Sequence, residues 1–215
     1  MTESGDSGPL LEAKDLCVRR GEHPLFENLS FSLGEGELLQ LQGDNGAGKT
    51  TLLRALCTLI PFDKGQVLWR GEVLPGARES YFESMCFAGH SDALKGDLTA
   101  LENLQCNLTD KPTTDDDCLS ALDKTGMQGR EHLPCKVLSA GQRRRVALAR
   151  LLLRDAKLWV LDEPLTALDV GGRALVAQLI EAHVEAGGSV IYSTHQSLEL
   201  SNRHVTTLRI GSHSH

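Results

Sequence analysis

The octapeptide Gly43-Asp44-Asn45-Gly46-Ala47-Gly48-Lys49-Thr50 fits the pattern GxxxxGK followed by Ser or Thr. Its chemistry is the capture of phosphate. The glycines let the backbone curl so that several N–H groups point inward, and a helix starting there adds about half a positive charge. Lys49 is long enough to reach the β- and γ-phosphates of a nucleotide, the Thr50 hydroxyl suits Mg²⁺, and Thr51 follows in the same turn. Asp44 is discordant, because a carboxylate beside a triphosphate repels it; its backbone is expected to serve while its side chain faces solvent. A second constellation is Leu158-Trp159-Val160-Leu161-Asp162-Glu163, an apolar run ending in two acids. The end of a buried strand opens onto the ligand crevice of an α/β sheet. There Asp162 is expected to bind Mg²⁺ through water. Glu163, on the opposite face as strand neighbours are, is expected to polarise the attacking water as general base. Alone, two acids at a strand end read as a solvated boundary; the phosphate loop upstream gives them chemical meaning.

These groups need a strand before the loop, a helix after it and a buried strand under the acids. Leu10–Val18 and Leu25–Leu33 alternate like strands, with Leu29, Phe31 and Leu33 on one face. Gly34-Glu35-Gly36 is a turn and Glu37–Gln42 a short strand, so the glycine-rich loop follows a strand. Thr50–Leu59 reads as a helix that Pro61 stops, and Gln66–Arg70 as another strand. From Ser91 to Arg154 the periodicity is helical. Within it, Asp110–Asp117, with Pro112 and three consecutive aspartates, reads as a solvated loop and helix start rather than a metal site, since acids favour a helix's first turn. Strand character returns at Lys157–Leu161 and Ser189–Ser193, flanking a helix at Gly172–Glu185, and this alternation implies a parallel sheet. The expected organisation is a single domain over 1–215. An α/β core from 1–90 and 155–215 is interrupted by a mostly helical subdomain, 91–154.

Composition narrows the classes. At 215 residues the chain suits one domain, or one with a subdomain, and a net charge of −7 argues against wholesale nucleic-acid binding. No apolar run reaches the roughly 20 residues needed to span a bilayer. Met1–Gly8 is polar, carries Glu3 and Asp6, and lacks the positive start and apolar middle of a secretory signal. The chain is therefore expected in the cytosol unless a partner holds it at a membrane. Cys17, Cys57, Cys86, Cys106, Cys118 and Cys135 form no CxxC pair and no CxxCH haem-attachment site; they read as reduced packing residues.

Leu138-Ser139-Ala140-Gly141-Gln142 resembles the LSGGQ signature of ABC ATPases, and Arg143-Arg144-Arg145-Val146-Ala147-Leu148-Ala149-Arg150 resembles the helix after it. Asp162-Glu163-Pro164 comes next, then Ala167-Leu168-Asp169, which resembles the D-loop, and His195, which resembles the switch histidine. Five motifs in order, from Gly43 to His195, make the chain similar to that family over nearly its whole length. The resemblance implies the P-loop NTPase fold of an ABC-type nucleotide-binding domain, with a mostly parallel sheet core, an N-terminal antiparallel β part and a helical subdomain carrying the signature. It implies ATP and Mg²⁺. It also implies a head-to-tail pair of copies, in which Ser139-Ala140-Gly141-Gln142 closes over the other copy's nucleotide, with Ser139, Gly141 and Gln142 at the γ-phosphate. Asp169 would couple the two sites, and His195 would touch the γ-phosphate within its own chain. Two positions depart from the family pattern. His90, in Ala88-Gly89-His90-Ser91, stands where the family has the Q-loop glutamine, which senses the γ-phosphate and couples to a membrane subunit; it can hydrogen-bond but is a poorer Mg²⁺ ligand than an amide carbonyl. Val18-Arg19-Arg20-Gly21 stands where the adenine-stacking aromatic is found, so Arg19 or Arg20 is expected to stack through its planar guanidinium.

RRGEHPLFENLSFSL, GDNGAGKTTLLR, GHSDALKGDLTALENL, LSAGQRRRVALARL and LWVLDEPLTALD together resemble one branch, the ATPases of bacterial cytochrome c maturation systems, or haem exporter ATP-binding subunits. The short stretch after His195 fits as well. That branch implies integral membrane subunits as partners and a peripheral position on the cytoplasmic face of the inner membrane, with membrane contact only through those partners. It implies hydrolysis that powers haem delivery or release, without haem contact by this chain. An unrelated ABC exporter or importer shares the general motifs. A soluble ABC ATPase of DNA repair or translation would carry a long insertion or two ATPase domains, and a P-loop kinase leaves the signature and His195 unexplained.

Overall fold

The structure, a computed structural model, describes residues 8–106, 113–201 and 204–211. The polar stretch Met1–Ser7 and the beginning of the acidic run, Asp110–Pro112, lie outside the described residues. In chain order the elements are β1 (Leu11–Arg20), β2 (His23–Leu33), β3 (Leu38–Gln42), α1 (Lys49–Leu56), β4 (Lys64–Trp69), β5 (Glu72–Val73), α2 (Arg78–Ser84), β6 (Met85–Ala88), α3 (Ala100–Gln105), α4 (Asp115–Lys124), α5 (Ala140–Ala149), β7 (Leu158–Asp162), α6 (Val170–Glu185), β8 (Ser189–Ser193) and β9 (Val205–Arg209). Short 3₁₀ turns occupy Cys135–Val137 and Arg150–Leu153.

Two sheets result. One is antiparallel in the order β2-β1-β4-β5, with β1 and β2 paired from Leu11↔Leu33 to Arg20↔His23. The other is parallel in the order β6-β7-β8-β3-β9. Every residue of β7 and β8 is buried, because both faces of a parallel sheet are covered. Alternation along β7 sends Leu158 and Val160 to a core shared with Leu52, Leu53 and Leu56 of α1 and with the antiparallel sheet. Trp159 and Leu161 face the opposite core, against Val176, Ile180 and Val184 of α6. Each such aliphatic side chain contributes about 1.5–3 kcal/mol by leaving water, so the strand ends carrying the acids are held firmly on both sides.

The region between β6 and β7 builds its own core from α3, α4 and α5, including Leu101, Leu104, Leu122, Val146 and Ala149. All three helices open with a reciprocal capping box: Thr99 with Glu102, Thr114 with Asp117, and Ser139 with Gln142. Asp115, Asp116 and Asp117 form the exposed first turn of α4.

Several boundaries differ from the sequence expectation. α1 ends at Leu56, short of Pro61. Thr58 turns left-handed at φ 56°, and Thr58 N and Leu59 N donate to Ala55 O and Arg54 O at 2.9 Å each, the paired bonds of a Schellman closure. The helix α2 and the strands β6 and β9 arise where the sequence pattern gives no clear period. All six cysteines are free thiols; five are buried and Cys106 is exposed. No helix among the described residues is long and apolar enough to cross a membrane.

Candidate functional site

The loop Gly43–Gly48 joins the end of β3 to the start of α1. Gly48 caps the helix at φ 102°, a conformation that favours glycine, and a Cβ there would also crowd Leu25 Cβ at 3.3 Å. The N–H groups of the first turn of α1 have no partner within the helix and face the cleft. Lys49 is only 7% exposed despite its charge; its Nζ donates to Gly43 O at 2.6 Å and Asp44 O at 3.0 Å. Asp44 is exposed and does not line the cleft.

The two sequence constellations meet at the end of β7. Thr50 Oγ1 donates to Asp162 Oδ1 at 3.1 Å, and Ser193 Oγ, at the end of β8, donates to the same oxygen at 2.7 Å. Burying a carboxylate is costly unless it is hydrogen-bonded, and these hydroxyls supply the bonds at a residue 1% exposed. Glu163 does not continue the strand, so the strand-alternation argument for its direction fails. Its φ is +51°, a left-handed turn disfavoured by about 1–2 kcal/mol for a residue with a Cβ. The turn is held on its amino side by Glu163 N donating to Ser193 O at 3.1 Å and to Ser193 Oγ at 3.2 Å. The carboxylate faces His195: Oε2 accepts from His195 N at 3.4 Å, and Oε1 stands 3.4 Å from His195 Nε2. Glu163 Oε1 is buried and accepts no hydrogen bond, an acceptor suited to water or substrate.

Arg144 belongs to none of the catalytic or binding motifs of the sequence. It lies on α5, 2% exposed, with its guanidinium under the Asp162–Pro164 turn. Burial lowers its pKa, and Asp92, Asp162 and Glu163 oppose the shift. Spacing does not single it out, because Arg143 and Arg145 also have buried residues three and four positions on, Val146 and Ala147 for the first and Leu148 and Ala149 for the second. Ser193 stands in the sequence only as the last residue of the strand Ser189–Ser193.

A cleft of about 1270 Å³ brings the phosphate loop, Glu163 and His195 together with Arg19, Arg20 and His90. The two arginines differ. Arg19 is tied down, with Nη2 donating to Glu27 Oε1 at 3.1 Å and its backbone N to Asp63 Oδ2 at 2.6 Å, while exposed Arg20 has no ion-pair partner among the described residues. His90 is exposed on the rim.

Ser139, Ala140, Gly141 and Gln142 do not line this cleft. Ser139 Oγ accepts from Gln142 N at 3.2 Å and Gln142 Oε1 accepts from Ser139 N at 2.9 Å, so the two side chains cap α5. A Cβ on Gly141 would sit 2.8 Å from Ala167 O, which excludes larger residues there. Asp169 caps α6 by accepting from Gly172 N at 2.8 Å, and pairs with Arg145 Nη2 at 3.2 Å.

The family model described as ABC transporter matches residues 26–166. The chain is 45% identical over 204 residues to the cytochrome c biogenesis ATP-binding export protein CcmA of Dechloromonas aromatica, covering 94% of this chain and 100% of that relative. It is 48% identical to the protein of the same name from Nitrosomonas europaea (94% and 95% covered) and 47% identical to that of Escherichia coli K12 (94% and 96%). Among solved structures, a putative ABC transporter ATP-binding protein from Pyrococcus furiosus superposes with a TM-score of 0.79 at 25% identity, covering 93% of this chain and 96% of that one. A nucleotide-free ATP-binding cassette of an ABC transporter shares the fold at a TM-score of 0.75 and 19% identity, covering 88% and 82%.

Proposed function

The chain belongs to the ABC transporter ATPase family, and from that membership we propose that it binds Mg²⁺-ATP and hydrolyses it to drive haem delivery or release in c-type cytochrome biogenesis. The 3.1 Å bond between Thr50 Oγ1 and Asp162 Oδ1 carries the reading, because it joins the phosphate loop to the acid pair at one point. The names of relatives at 45–48% identity support the cytochrome c assignment.

The donor set fits Mg²⁺. It consists of hard oxygens, and both hydroxyl donors use Oδ1 of Asp162. Thr50 would hold the ion directly and Asp162 through water. An ion held there would supply charge neutralisation for the phosphates. The chain's own residues do the rest. Lys49, with two of its three donors on Gly43 O and Asp44 O, gives the third to a phosphate oxygen, and the N–H groups of residues 43–51 cradle the phosphates. Glu163 Oε1 accepts a proton from the attacking water, and His195 holds the γ-phosphate in line with it. Arg20 takes the stacking position on adenine and Arg19 stays paired with Glu27.

Residues 1–215 then form one ATPase domain, with 91–154 as the arm carrying the signature. Because Ser139–Gln142 lie outside the chain's own cleft, a second copy completes each site and Asp169 faces it across the pair. His90 and its loop link the site to integral membrane subunits, which hold the chain at the cytoplasmic face of the inner membrane. The test has two arms. Purified protein should hydrolyse ATP only with Mg²⁺, and chelation should abolish turnover; magnesium-independent turnover would reject the metal role. Deleting the gene and staining for covalent haem should show lost periplasmic c-type cytochromes. Normal cytochromes would leave the ATPase in place and assign it to another ABC system.

A further inference from the structure

The Arg144 guanidinium has five N–H donors, and five acceptors surround it. Nε donates to Pro164 O at 3.4 Å, Nη1 to Gly89 O at 2.8 Å, and Nη2 to Asp162 O at 3.0 Å and Glu163 O at 2.9 Å. Asp92 Oδ1 lies 3.5 Å from Nη1. Three consecutive carbonyls, those of residues 162–164, thus converge on one cation. An extended strand cannot do this, because successive carbonyls alternate in direction. The left-handed φ of Glu163 is what turns them together.

We infer that Arg144 is a positioning residue for hydrolysis: its buried guanidinium holds the Glu163 turn so that the carboxylate meets the attacking water, and ties that turn to the loop carrying His90. The inference rests on the reading of Glu163 as general base. Three parts meet at this cation. Its backbone belongs to α5, which begins at the signature segment. Its Nη2 holds the base's own carbonyl. Its Nη1 holds Gly89, adjacent to His90, and Asp92 two residues beyond. A shift of α5 or of the 89–92 loop therefore moves the base, while Lys49 and Thr50, which Arg144 does not touch, keep their grip on phosphate. Lysine cannot substitute, since a point ammonium with three donors cannot reproduce the planar five-donor fork.

The experiment measures ATP turnover and nucleotide affinity for Arg144→Lys, Arg144→Gln and Asp92→Asn, alone and with Glu163→Gln. Arg144→Lys should lower kcat by about 10²-fold, within the range of a lost general-base contribution, with the KM for ATP changed less than about twofold. Added to Glu163→Gln it should cost nothing further, because residues acting as a unit are not additive. Asp92→Asn removes a negative charge beside the guanidinium while keeping an acceptor oxygen; it should lower kcat about threefold with KM unchanged, and it tests the idea even if both Arg144 variants fail to fold. A merely structural role would lower the melting temperature or the active fraction, and kcat would return to normal once turnover is divided by the fraction of protein that binds nucleotide. The inference is overturned if Arg144→Lys or Asp92→Asn keeps full kcat, if KM rises as kcat falls, or if the Arg144→Lys loss multiplies with that of Glu163→Gln. A fully active Glu163→Gln protein would instead remove the base assignment itself.

Discussion

The cleft and the signature segment hold comparable polar chemistry in very different states of completion. In the cleft, groups far apart in sequence are in contact: Thr50 with Asp162, Ser193 with Asp162 and Glu163, and Glu163 with His195. One buried acceptor, Glu163 Oε1, is left without a hydrogen bond. At the signature, Ser139 and Gln142 satisfy each other, and the cleft does not reach them. The first region is organised by the core of one chain. The second is a stable helix start, and under the proposed function it acts only against a second copy. Preorganisation and exposure are thus divided between two ends of the same fold.

The comparison breaks most sharply at Glu163. Glu163→Gln should lower kcat by about 10²–10⁴-fold while ATP binding persists, as read by steady-state turnover beside equilibrium nucleotide titration. Equal turnover would mean that the cleft lacks its base. Lys49→Ala comes next. Losing charge-assisted bonds worth about 1.5–3 kcal/mol each should weaken ATP binding at least tenfold in the same titration, whatever happens at the signature. Ser139 then sharpens the contrast. Ser139→Ala should cost about 1 kcal/mol of stability through the lost cap, lowering Tm by roughly 2–4 °C, and should slow hydrolysis at concentrations where copies pair. ATP binding by dilute protein should hold. Ser139→Asn restores the cap, so thermal unfolding should recover while turnover does not. Recovery of both would confine Ser139 to capping.

One further effect lies outside both regions and leaves turnover untouched. His183 stacks on Trp159 at 3.9 Å, and burial pushes its pKa down from the ordinary 6.5 to about 4. The unfolded chain binds that proton first, so His183 supports full stability above about pH 6.5 and loses it as the pH falls toward about 4. Denaturant titrations across that window should show the decline, and His183→Phe should flatten it with turnover at neutral pH unchanged.

What could be read from sequence follows from what has a residue type. Lys49, Thr50, Asp162 and Glu163 stand out because phosphate chemistry needs an ammonium, a hydroxyl and carboxylates at loop and strand ends. Arg144 did not stand out because four of its five partners are backbone carbonyls, which have no signature in a sequence. The long alternating strands at the N-terminal end and the buried runs of β7 and β8 were legible from pattern. β6 was not, since four residues are too few to show a period, and β9 was not, because an edge strand with exposed Thr206, Thr207 and Arg209 carries little apolar signal. The end of α1 was misplaced because hydrogen bonds around Thr58, not Pro61, close it. Glu163 was assigned to a strand that stops one residue earlier.

The ammonium of Lys49 bridges two consecutive carbonyls of its own loop, Gly43 O and Asp44 O. That bridge acts as an internal clasp, keeping the ring of amides in the curvature a polyphosphate needs before one arrives. Little ordering then remains for the binding event, and affinity reports the chemistry of the ligand rather than the slackness of the receptor. An uncharged side chain of the same length would release the clasp as well as the charge, so its effect on affinity should exceed what electrostatics alone predicts.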